Sequence, residues 1–186
     1  MIRGTGRFWA VIAATLMVFC GCSYHRGTVE SGDILADGRH AAILPLVNLT
    51  TYPHAGRIVG DLLTTEMYAS SGFRIMESTE MLDRLKGDEE DLDRVLDRTV
   101  ARRIGARLGV DMVVFGSVTE YRYKRGLDED PVVGINIRML DVKSGDILAV
   151  GSRSETGGCF WFCEDSLNRL AQKVCRDLVR RMVKAH

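Results

Sequence analysis

The strongest constraint on this chain lies near its end. Between Glu164 and Lys184, Leu167, Leu170, Ala171, Val174, Cys175, Leu178, Val179, Met182 and Val183 recur every three to four residues, with polar residues between them. That spacing predicts an amphipathic α-helix whose apolar stripe must be covered by another element. Three upstream segments can supply the cover. Asp111–Tyr123 (DMVVFGSVTEYRY) is β-branched and aromatic, with Gly116 an expected bulge. Val132–Val142 alternates apolar and polar residues, and Lys143-Ser144-Gly145-Asp146 reads as a hairpin turn into Ile147–Thr156.

The first half of the domain alternates strand and helix. Ala41–Val47 (AAILPLV) reads as a buried strand, with Pro45 marking an end or an edge. Gly56–Ser71 carries Ile58, Val59, Leu62, Leu63 and Met67 at helical spacing, with Gly72 as its stop. Phe73–Glu77 reads as a strand. Ser78–Lys86 reads as a helix capped by Ser78, and Arg98–Leu108 as another with Val100, Ile104 and Leu108 on one face. The order β-α-β-α-α-β-β-β-α predicts an α/β (α+β) domain, a mixed sheet of about five strands flanked by helices.

The first residues read as an address. Arg3 and Arg7 precede an apolar run, Phe8–Phe19, which ends at Cys20-Gly21-Cys22. A positive start, an apolar stretch of roughly 7–15 residues and a small residue at the cut make a secretory signal. A core helix would show a polar face, and this run has none. Cys22 follows the small Gly21, whereas Cys20 follows the bulky Phe19, so Cys22 is the expected lipid acceptor. Phe19-Cys20-Gly21-Cys22 resembles a bacterial lipobox, with Phe19 where such signals usually carry Leu. In lipoproteins of that kind Ser23, which is not Asp, implies the outer membrane. The expected organisation is a signal peptide over 1–21, a lipidated terminus and tether over 22–39, and a periplasmic domain over 40–186. Acyl chains supply the membrane attachment, at about 0.8 kcal/mol per buried CH₂.

The chain carries 25 Lys+Arg against 25 Asp+Glu, a balance that argues against a nucleic-acid partner. It has no phosphate-cradling G-x-x-x-x-G-K-[ST], no G-x-S-x-G and no H-E-x-x-H. His25, His40, His54 and His186 lack a second ligand at metal spacing, so neither metal nor cofactor is expected. Asp61 and Glu66 read as surface charges rather than an acid–base pair. Cys175 lies on the apolar stripe and reads as a buried thiol. Cys159 and Cys163 bracket Phe160-Trp161-Phe162, and a bridge between them suits an oxidising compartment. Three consecutive aromatics cannot all face inward from extended backbone, so Phe160, Trp161 and Phe162 are the expected partner-binding surface. Burial of those rings over the open end of the core is the competing reading.

The segments between Ala41 and Thr156 also resemble the curli-secretion subunit (CsgG) superfamily, which includes the envelope lipoproteins LpoB and FlgO. The matching pieces are Ile43–Thr50 (ILPLVNLT), Gly60–Glu66 (GDLLTTE), Gly72–Glu77 (GFRIME), Leu108–Glu120 (LGVDMVVFGSVTE), and the hairpin ending in Ser144-Gly145-Asp146-Ile147-Leu148. They occur in the family's order. Gly60, Gly109 and Gly116 are expected to serve packing or backbone geometry. The resemblance implies a non-enzymatic lipoprotein that binds an envelope protein in assembly, secretion or regulation of surface structures or cell-wall synthesis. Its alternatives are a subunit of an oligomeric secretion channel and a thiol-redox protein using Cys159 and Cys163. The connection Tyr123–Pro131 is short and charged, with no room for the membrane-spanning hairpin of the pore-forming relatives. Oligomeric state stays open.

Overall fold

The computed structural model describes residues 29–31, 38–70, 72–86, 92, 95–124, 130–158 and 166–183. In chain order the elements are β1 (Val29–Ser31), β2 (His40–Ile43), β3 (Val47–Asn48), α1 (Ala55–Ser70), β4 (Arg74–Ile75), α2 (Ser78–Arg84), α3 (Arg98–Leu108), β5 (Met112–Tyr123), β6 (Pro131–Asp141), β7 (Ile147–Thr156) and α4 (Leu167–Val183). The strands form one sheet of seven in the order β1-β7-β6-β5-β2-β4, with β3 also on β5. β2 lies parallel to both β4 and β5, and β3 is parallel to β5. β5, β6, β7 and β1 are successively antiparallel. The predicted mixed α+β class holds. The strand count is higher than expected because Pro45 lies between β2 and β3, splitting the apolar run, and because β1 pairs a piece of the segment read as tether.

Strand periodicity sorts the core into two layers, since neighbouring side chains point to opposite faces. Ala41, Ile43, Met112, Val114, Ile135, Ile137 and Met139 face α1 and α4. Ala42, Leu44, Val113, Phe115, Leu140 and Val142 face α2 and α3. β5 therefore has both faces covered along its first half, and every residue from Met112 to Val118 is buried. The buried set of α4 is the same stripe that the sequence spacing selected.

Local chemistry fixes the ends. The Asp97 carboxylate accepts the Thr99 and Val100 amides at 2.7 and 3.1 Å, starting α3. Gly109, at φ 70°, ends it in the left-handed region that suits glycine. Arg102 of α3 then donates to the carbonyls of Val142 (2.9 Å) and Lys143 (2.7 Å), tying the helix to the turn after β6.

Three local expectations are corrected. Glu77, not Ser78, occupies the position before α2, with no side-chain cap bond. The irregularity in β5 falls between Val118 and Glu120 rather than at Gly116. Gly116 instead allows β6 to pass close by, for a Cβ there would stand 2.0 Å from the Asn136 carbonyl oxygen. Gly60 serves no packing need, since a Cβ there meets nothing within 4 Å.

Candidate functional site

The residues singled out from sequence for lipidation (Cys22), bridging (Cys159, Cys163) and partner binding (Phe160, Trp161, Phe162) lie outside the described residues. Their flanks are placed. Gly157 donates its amide to the Pro131 carbonyl at 2.8 Å, and the Leu167 amide donates to the Tyr123 hydroxyl at 3.4 Å. Gly157 and Leu167 are thus both held at the same end of the sheet, where β5 finishes and β6 begins.

That end is rich in tyrosine. Tyr121 is almost fully buried, and its hydroxyl donates to the Asn168 side chain at the start of α4. The Tyr52 ring meets the Tyr121 ring edge-on, with centroids 4.9 Å apart. Burial, and then the neighbouring Tyr52 and Tyr123, push the Tyr121 phenol up from 10.0 to about 12. Beside this buried ring, Tyr52 (41% exposed) and Tyr123 (45%) face solvent, as does Leu49 (57%), whose amide bonds the Val118 carbonyl of β5. Asn48 holds the Leu49–Tyr52 loop in place, donating to the Tyr52 carbonyl at 2.8 Å and accepting the Thr50 amide at 3.0 Å. Exposed apolar and aromatic residues gathered beside the flanks of the Phe160–Phe162 segment make this end the best-defined candidate for protein contact. The sequence reading passed over Leu49 and Tyr52 because they sit in a turn without periodicity.

A second concavity, of about 520 Å³, opens between α1, α2 and the carboxyl end of β2. Leu44, Pro45, Met81 and Leu92 line it, and Arg57 and Asp61 stand at its α1 side. Its place beyond the end of a parallel strand is where open sheets with helices often hold ligands. Gly60 lines it too, between the two charges. Asp61 is exposed, as the sequence reading expected of a surface charge.

Glu66 does not follow that reading. It is 5% exposed and accepts the Gln172 amide at 3.2 Å and the Arg176 guanidinium at 3.2 Å, linking α1 to α4. Its position was legible. Glu66 falls seven residues after Val59, on the stripe that also holds Leu63 and Met67. Cys175 is fully buried and free, as expected, and burial pushes its thiol up to about 12, with the nearby Glu66 adding to the rise. Among the described residues no three His, Cys, Asp or Glu side chains gather as metal ligands, and no helix is long and apolar enough to cross a membrane.

Neither a protein-family profile nor a curated protein sequence matches the chain. Solved structures do match it. The PelC dodecamer from Paraburkholderia phytofirmans aligns with a TM-score of 0.61 and 25% identity, covering 83% of this chain and 95% of that one. The lipoprotein GNA1162 from Neisseria meningitidis aligns with a TM-score of 0.54 and 18% identity, over 75% of this chain and 95% of that one. The LpoB C-terminal domain from Salmonella enterica aligns with a TM-score of 0.50 and 16% identity, over 68% of this chain and 88% of that one. The chain therefore shares its fold with the lipoprotein GNA1162, the LpoB C-terminal domain and the PelC subunit.

Proposed function

We propose that this chain is an outer-membrane lipoprotein, anchored through Cys22, whose periplasmic domain binds an envelope protein and catalyses no reaction. The observation that carries the reading is the fold shared with the lipoprotein GNA1162, on a chain whose own apolar start ends in Gly21-Cys22. The end of the sheet bearing Leu49, Tyr52 and Tyr123, next to the flanks of Phe160–Phe162, supports a docking surface there. Membership of the CsgG-like superfamily, with a role in assembly, secretion or regulation of surface structures or cell-wall synthesis, belongs to the same proposal.

The test captures partners from detergent-solubilised membranes with the full chain and with Trp161→Ala, after confirming fatty-acid labelling. One stoichiometric envelope protein, lost in Trp161→Ala at an unchanged melting midpoint, is expected. A Cys22→Ala chain that still takes up fatty acid refutes the anchor. A marked drop in melting midpoint for Trp161→Ala makes the ring core and moves the docking surface elsewhere. A second reading, a subunit of an oligomeric secretion assembly, draws support from the PelC structure being a dodecamer. It predicts a ring-sized particle in detergent rather than a monomer.

A further inference from the structure

The chain reverses its path across the sheet at the carboxyl end of β2. β2 lies parallel to β4 on one side and to β5 on the other. From β2 the chain reaches β4 through α1, then returns past β2 to β5 through α2 and α3. α1 packs on one face of the sheet through Val59 and Leu63, and α2 and α3 pack on the other through Met81 and Ile104. Connections that part to opposite faces leave a crevice beyond the strand between them, where open sheets hold ligands. The cavity of about 520 Å³ is that crevice. It falls within the roughly 300–1,000 Å³ of pockets that enclose a small molecule.

The lining selects the kind of molecule. Leu44, Met81 and Leu92 give the cavity an apolar floor, and its α1 wall bears Arg57 and Asp61. Side chains four residues apart stand on one face of a helix, with Cβ atoms about 5–6 Å from each other. Opposite charges at that spacing are close enough to pair, yet neither side chain has a hydrogen bond or ion pair among the described residues. Gly60 lies between them. It is buried, but a Cβ built on it would meet nothing within 4 Å, so the cavity reaches the helix backbone there. An anion alone would gain Arg57 and be repelled by Asp61, and a cation alone would meet the reverse. A molecule that carries both charges side by side satisfies both.

We propose that this cavity binds a small amphipathic zwitterion, with its apolar body on Leu44, Met81 and Leu92, its ammonium at Asp61 and its carboxylate or phosphate at Arg57. Two sources share that chemistry, a short apolar peptide and a single-chain phosphoethanolamine lipid. The site uses none of Leu49, Tyr52 and Tyr123, so it goes beyond the protein-docking function and stands without it.

The test measures binding of radiolabelled leucyl-leucine, and separately of radiolabelled lysophosphatidylethanolamine, to the full mature chain in phosphatidylglycerol vesicles, against protein-free vesicles. Saturable binding of one probe is expected, and which probe binds names the source. N-acetylation, which removes the ammonium, should weaken that probe by roughly tenfold or more, the loss expected of a charged hydrogen bond. The acetylation penalty should vanish in Asp61→Asn, whereas Arg57→Gln should weaken the free and acetylated probes alike. Gly60→Leu should fill the cavity and abolish binding at an unchanged melting midpoint. Failure of both probes to saturate overturns the proposal. So does an acetylation penalty that persists in Asp61→Asn, or full binding by a folded Gly60→Leu.

Discussion

The Glu66 carboxylate on α1 receives the Arg176 guanidinium of α4 in a two-point contact, Nε to Oε2 and Nη2 to Oε1, both at 3.2 Å. The Gln172 amide adds a third donor to the same carboxylate. The two helices share the apolar layer over one face of the sheet, and this polar contact ties one to the other. A carboxylate that is nearly inaccessible is tolerated only because its charge and lone pairs are matched.

The two partners are therefore not equivalent. Arg176→Ala strands a buried carboxylate with a neutral amide alone. Glu66→Gln removes the buried charge, keeps an acceptor for Arg176, and frees a guanidinium that already reaches water. Arg176→Ala is expected to lower the melting midpoint more than Glu66→Gln, and Glu66→Leu combined with Arg176→Leu to recover part of the loss. Thermal unfolding followed by circular dichroism decides it. Equal losses for the two single variants would mean that the charge of Glu66 is not what the contact stabilises.

Two glycines one turn apart on α1 should respond in opposite directions. A Cβ at Gly56 would stand 1.9 Å from the Leu46 carbonyl oxygen, where backbone must move. A Cβ at Gly60 meets nothing within 4 Å. Glycine inside a helix costs roughly 0.5–1 kcal/mol relative to alanine. Gly60→Ala should thus stabilise the domain by about that amount, while Gly56→Ala destabilises it by roughly 1–3 kcal/mol through overpacking. Urea unfolding of both variants reads the difference. A destabilised Gly60→Ala would show that α1 shifts toward the cleft.

Most of the fold was legible because it rests on period. The stripe of α4, the β5–β6–β7 series and the helix that ends at Leu108 all follow from spacings of about 3.6 or 2 residues. What escaped depends on partners distant in sequence. β1 exists because β7 has an edge to pair, and nothing within Val29–Ser31 announces it. Gly116 looked like a bulge because its own strand offers no other reason for a glycine. The reason lies on β6, at Asn136. Leu49 and Tyr52 gained meaning only when Tyr121, some seventy residues on, was seen beneath the Tyr52 ring.

Acid should weaken the fold through carboxylates held by backbone amides. The amides of Val100 and then Thr99 lower the Asp97 carboxyl below its ordinary 3.8. The Ser144 amide lowers Asp141 most, and although burial opposes it, Arg39 adds to the lowering. Both groups stay ionised in the folded chain at a pH where the unfolded chain has begun to bind protons. Their contribution is complete above 3.8 and is lost as pH falls through the lowered folded values. Asp97→Asn keeps a good N-cap without the charge. It should be somewhat weaker than the parent chain at neutral pH and lose less stability on acidification, so that the two converge in acid, whereas Asp97→Ala should be weaker across the range. Denaturant unfolding as a function of pH checks the slopes, and parallel curves for Asp97→Asn and the parent would contradict the assignment.

Alkali should weaken the fold from the other side, through Cys175. Its Sγ is fully buried and lies 4.0 Å from the Val59 carbonyl oxygen. Burial, with help from Glu66, holds the thiol protonated up to about 12, whereas an unfolded chain releases that proton near 9.0. Between those values the unfolded state has shed a proton that the native state keeps. Raising the pH through this window therefore favours unfolding. Tyr121 acts in the same sense between 10.0 and about 12, so the effect is shared. Cys175→Ala should show a shallower alkaline decline, most visibly between the thiol and phenol onsets, where Tyr121 does not yet contribute. The same burial predicts that iodoacetamide leaves Cys175 unmodified in the native chain and modifies it only after unfolding, which mass spectrometry of the peptide reads directly. Rapid alkylation of Cys175 under native conditions would mean that α4 opens from the sheet often enough to expose its stripe, and the alkaline slope would then have to arise elsewhere.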